Sequence, residues 1–107
     1  MAYPLLGTRF VLDEEKILQE GKYNLEKIYE FIDALAKECD LVKLNKNTYL
    51  CKGNKEDLAR LGVFTHSNLV KYEWFTLNLK KWNWLSEKDG TIDLIARHKA
   101  RNEGVWA

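Results

Sequence analysis

Lysine next to tryptophan is a pairing with two chemical uses, and Lys80-Lys81-Trp82-Asn83-Trp84 concentrates it. Single-stranded nucleic acid is held by cations along its phosphates and by aromatic rings under its bases. At protein surfaces, tryptophan is enriched among the anchors that carry binding energy. A plainer use exists for the same residues. In a strand, positions 82 and 84 share a face, so both indoles can pack into a core while the lysines solvate an edge.

The second cluster is Arg97-His98-Lys99-Ala100-Arg101. Its cations can meet phosphates, and His98 can act as a general acid or base with Arg97 stabilising a developing negative charge. Neighbouring residues do not share a face in a strand or a helix, so Arg97 and His98 need not converge. A solvated basic end is the plainer reading. The other histidine, His66, lies in the polar stretch Thr65-His66-Ser67-Asn68, which reads as a loop. A lone histidine lacks the orienting partner that marks catalysis.

Cys39, Cys51, His66 and His98 contain no closely spaced ligand pair, so no zinc site is expected, and the cysteines read as small apolar residues. The six glycines are scattered at expected element ends, and no phosphate-cradling loop, nucleophile elbow or calcium loop occurs. The residues imply no cofactor.

Elements must place these side chains. The clearest follows Asn24, an N-cap, where Leu25, Ile28, Ile32, Leu35 and Cys39 recur at helical spacing, with Tyr29, Phe31 and Ala36 broadening the stripe. A helix is expected over 25–38, with Glu26, Lys27, Glu30, Asp33 and Lys37 on its solvated face. Before it, 7–12 reads as a short edge strand, and Asp13 caps a brief helix that stops at Gly21. After it, 41–44 and 48–51 read as a hairpin across Asn45-Lys46-Asn47. Asn54 and Asp57 start a short helix through Leu58 and Leu61, with Gly62 as its stop.

From Val70 onward the aromatic alternation Val70, Tyr72, Trp74, Thr76 predicts a strand. Lys81 to Leu85 predicts another, and Asp89-Gly90 turns the chain into 91–95, giving a meander of about three strands. Residues 91–101 read as a strand passing into a short helix or tail. A rival reading makes Thr91 an N-cap and 94–101 a helix whose basic end suits the macrodipole.

The whole is expected to be one α+β domain over 1–107, with one main amphipathic helix packed on a small, mostly antiparallel sheet built from hairpins. A short N-terminal arm and a C-terminal tail flank it. Length and a 46% hydrophobic, 31% charged composition suit a single folded domain. Seventeen Lys and Arg against sixteen Asp and Glu leave +1, too little for a global field toward nucleic acid or anionic lipid. Met1 to Leu6 has neither a basic leader nor the length of a membrane span, and two cysteines make no disulfide framework, so a reducing cytoplasm is expected and no membrane partner.

The functional expectation is a non-enzymatic binding module that meets a macromolecular partner, most simply a protein, through an aromatic-bearing C-terminal surface. Its candidate residues are Trp82, Trp84, Lys80, Lys81, Arg97, Lys99 and Arg101. The alternatives are weak nucleic-acid binding through the same set, and a small hydrolase or nuclease using a histidine. Oligomeric state does not follow from the residues.

Overall fold

The computed structural model describes residues 4–106. The N-terminal arm expected from sequence falls partly on residues 1–3, outside that range. Strand β1 (Leu6–Leu12) leads into α1 (Glu14–Glu20) and α2 (Leu25–Glu38), then the hairpin β2 (Val42–Asn45) and β3 (Thr48–Leu50). Helix α3 (Asp57–Gly62) runs into a π-helical turn (Val63–Asn68), a 3-10 turn (Leu69–Lys71) and α4 (Glu73–Thr76). A second hairpin, β4 (Leu79–Ser86) and β5 (Gly90–Asp93), precedes α5 (Leu94–Ala100). The strands form one antiparallel sheet in the order β2-β3-β1-β4-β5. This is an α+β fold with five α-helices among the described residues rather than one main helix.

The caps are local and follow the sequence. Asn24 Oδ1 accepts from the Lys27 N–H at 3.1 Å, and Asp13 Oδ1 accepts from the Lys16 N–H at 3.1 Å. Gly21 ends α1 in the left-handed region at φ 66°, which glycine enters without a Cβ penalty. Asp93, rather than Thr91, caps α5 by accepting from the Ala96 N–H at 3.1 Å. The strand-into-helix reading of 91–101 therefore holds, and the Thr91 cap of the rival reading does not.

One face of the sheet carries the core. Thr8, Phe10 and Leu12 alternate inward along β1, and the register sets Thr8 opposite Trp84 and Phe10 opposite Trp82. Side chains from four helical segments cover that face. Phe10 packs against Tyr29 of α2 and Phe75 of α4, Tyr49 against Phe64 of the π-turn, and Trp82 against His98 of α5. The alternation seen in β1 and β4 is what one-sided covering of an antiparallel sheet requires.

Four expectations are corrected. Strand β1 is central rather than an edge, because it pairs on both sides and joins the two hairpins. Gly62 does not stop α3: it keeps right-handed helical angles, and the supposed His66 loop winds on as the π-turn. There the Thr65 hydroxyl donates to Leu61 O at 2.9 Å and the Asn68 amide donates to Val63 O at 2.7 Å, so polar residues that read as loop satisfy a helix internally.

The strand predicted over 70–76 is helical. The N–H groups of Phe75 and Thr76 both donate to Tyr72 O at 3.0 Å, which winds the chain into a turn. That turn separates the adjacent rings of Trp74 and Phe75 by about 100°. Phe75 enters the core, and Trp74 stays at the surface. The tertiary gain from burying Phe75 between Phe10 and Trp82 overrides strand propensity.

Candidate functional site

Trp82 is 0% exposed and Trp84 is 8% exposed. Both sit on the inner face of β4, as their spacing allowed, and both are core. The Trp82 N–H donates to Thr8 Oγ1 at 3.1 Å, which satisfies the indole inside the protein. Neither ring can stack on a base or fill a partner's pocket without leaving the core. Lys80, Lys81, Arg97, Lys99 and Arg101 are exposed. Lys99 lies 5.7 Å over the ring of Trp106, whose N–H donates to Glu103 O at 2.8 Å, so the tail folds back on α5.

What the two tryptophans support is a pair of histidines. Trp84 stacks on His66 with centroids 5.6 Å apart and planes 19° apart; Trp82 stacks on His98 at 5.3 Å and 15°. His66 Nδ1 lies 3.0 Å from His98 Nε2, and His98 Nδ1 lies 3.0 Å from Glu103 Oε1. The π-turn supplies His66, α5 supplies His98 and the turn after α5 supplies Glu103. The sequence had offered His98 a partner in Arg97, but the helix turns Arg97 to solvent and His98 fully inward. The missed partner, Glu103, is five residues beyond His98, and its backbone N–H donates to His98 O at 2.9 Å.

Proton positions follow from this order. The Glu103 carboxylate only accepts, so His98 Nδ1 carries a hydrogen. In neutral His98 the Nε2 is then an acceptor, and His66 Nδ1–H donates to it, leaving His66 Nε2 bare. Burial pushes the His66 imidazole below its ordinary value, and a charge on His98 pushes it the same way. Glu103 opposes the shift, while Arg101 and Arg97 add to it. The three groups join end to end instead of converging on a point.

A second constellation lies on the surface between α2 and α4. Phe31 is 43% exposed and meets Tyr72 and Trp74 edge-on, with centroids 5.3 and 5.4 Å away. Tyr72 and Trp74 stack at 5.2 Å. Together with Tyr23, Ile28, Lys22 and Lys27, Phe31 and Trp74 line a groove of about 290 Å³. Tyr23 also borders an adjoining depression floored by Ile17, Leu18 and Leu25. Neither Lys22 nor Lys27 makes an ion pair among the described residues, whereas Lys43, Lys46, Lys52 and Arg60 are each paired with a carboxylate.

Phe31 had been assigned to the buried stripe of α2, yet it follows Glu30 and sits one position off the Ile28, Ile32, Leu35 line. That offset is the signal by which the groove was open to being found. Trp74 was missed because a strand would have turned it inward. Neither depression is lined by His66 or His98.

Among the described residues no helix is long and apolar enough to cross a membrane, and no group of three or more His, Cys, Asp or Glu side chains is placed to hold a metal ion. Comparison with protein-family models, curated proteins and solved structures finds no match.

Proposed function

We propose that this chain is a non-enzymatic binding module that engages a protein partner through the Phe31–Trp74 groove. The observation that carries the reading is the exposed ring of Phe31, propped edge-on by the partly buried Tyr72 and Trp74, beside Lys22 and Lys27, which make no ion pair among the described residues. Aromatic side chains held rigid by one another lose little entropy on binding and serve as anchors. The surface differs from the C-terminal one expected from sequence: residues 22–31 line most of it, and Trp74 joins them from the tryptophan-rich third.

The chemistry of the groove favours one kind of occupant. Its floor of Ile28, Phe31 and Trp74 accepts an apolar side chain, and its rim of Lys22 and Lys27 favours carboxylates. No acidic side chain lines it. A volume near the lower limit of ligand sites suits one or two anchoring side chains of a peptide segment rather than a large cofactor. The partner segment is therefore acidic with an apolar anchor. A cytoplasmic setting is part of this reading, and the free buried thiols of Cys39 and Cys51 suit it.

Selection from a displayed random-peptide library tests the proposal. Enriched sequences should be acidic with a large apolar residue, and should be lost on Phe31→Asp or on the double change Lys22→Glu, Lys27→Glu. Enrichment of basic peptides, or binding indifferent to these changes, would remove the proposal.

A further inference from the structure

We infer that His66 and His98 form a one-proton site, and that a second proton uncouples the π-helical turn from α5. The inference is independent of the groove and rests on the His66–His98–Glu103 chain. Both rings of the chain are held. His98 is fully buried against Trp82, and its Nδ1 is committed to Glu103. His66 is held against Trp84, and its Nδ1 is committed to His98.

Proton counting follows from those commitments. With no added proton, His66 Nδ1–H donates to His98 Nε2. The first proton makes His98 an imidazolium: Nδ1–H faces the Glu103 carboxylate, Nε2–H donates to His66 Nδ1, and the hydrogen of His66 moves to its outer Nε2. Every inner contact is preserved, and the new charge meets an opposite one. A second proton has no such place. It would set two N–H groups face to face across 3.0 Å, between imidazolium rings with centroids 4.8 Å apart.

The surroundings determine which ring yields. The charged groups acting on His66 are His98, Glu103, Arg97 and Arg101, all from α5 and the turn after it, while β4 contributes only the uncharged Trp84 face. Glu103 is already committed to His98, so three cations oppose a charged His66. His98 stays with its carboxylate, and the only partly buried His66 swings away. The π-turn then loses its hydrogen bond to α5. A π-helix is rare and seldom longer than a single turn, and this one loses the side-chain bond that ties it to α5.

Nitrogen-15 NMR of both imidazoles in the full chain, from about pH 8 to about pH 4, spans the ordinary histidine value and reads both steps. The two rings should respond together to the first proton, and His66 alone to the second. Amide hydrogen exchange over residues 63–68 should rise at least about tenfold with the second step while α2 stays protected. Independent titration of the two rings, or exchange over 63–68 that ignores the second step, overturns the inference.

Two variants separate the device from general acid unfolding. Glu103→Gln, at an exposed position, should lower the midpoint of the first proton by about one pH unit, a tenfold loss in proton affinity. His66→Phe keeps a ring on Trp84 and should abolish the exchange step. An unchanged first midpoint in Glu103→Gln contradicts the inference even if His66→Phe fails to fold.

Discussion

The indole N–H of Trp82 donates to Thr8 Oγ1 across the β1–β4 pair, at a place where neither side chain touches solvent. The same hydroxyl donates to Asn83 O at 2.8 Å, so one threonine ties two strands by two bonds. Thr8→Val keeps the shape and removes both. A buried N–H without an acceptor costs about 1–3 kcal/mol, and urea denaturation should show a loss of that size. Wild-type stability would show that the bond is immaterial.

Close approach of β1 to β3 predicts a second loss. A Cβ on Gly7 would lie 2.6 Å from the Tyr49 carbonyl oxygen and 2.6 Å from Leu50 Cδ2. The leucine end can rotate, but the backbone oxygen cannot. Gly7→Ala should cost about 1–3 kcal/mol by overpacking, read as a lower thermal midpoint. An unchanged midpoint would mean that the strands stand further apart than described.

Thiol chemistry supplies a third prediction. Burial pushes the Cys51 thiol up to about 12, and burial raises Cys39 as well, so little thiolate exists at neutral pH. Both cysteines should resist a disulfide reagent in native buffer and react at once in denaturant. Rapid native modification of either would contradict their placement in the core.

Stability should fall on acidification. The folded value of His66 lies below its unfolded value, so the unfolded chain binds the proton first. That contribution is complete above the unfolded histidine value and is lost as pH drops through it toward the folded one. Glu14 acts in the same direction at lower pH. The hydrogen bond from Tyr29 and the nearby Lys46 hold its carboxyl below the usual range, and its stabilisation is lost as pH falls through the folded value. Urea midpoints at stepped pH should decline in the histidine window, and His66→Phe should flatten that decline. A flat wild-type profile would contradict it.

Local signals in the sequence located the elements whose ends are chemical. Asn24, Asp13 and Gly21 marked α1 and α2 because a cap is satisfied within a turn of its own residue. The hairpins and the shared face of Trp82 and Trp84 were equally legible from period-two alternation. What was not legible depends on distant partners. Alternation over 70–76 looks like a strand until Phe10 and Trp82 make a helical Phe75 the better-buried choice. The histidine chain joins residues 32 apart through a π-turn that no local pattern announced. Phe31 resembled core until Tyr72 and Trp74 met it at the surface.

The proposed docking surface is tested most directly by NMR with an acidic, apolar-anchored peptide from the display selection. Each tryptophan indole N–H gives its own signal, so one titration distinguishes Trp74 from Trp82 and Trp84. Shifts at Trp74, Phe31 and Tyr23, with Trp82 and Trp84 unmoved, are the predicted result. Shifts centred instead on Trp82, Trp84 and the basic residues Arg97, Lys99 and Arg101 would contradict the account.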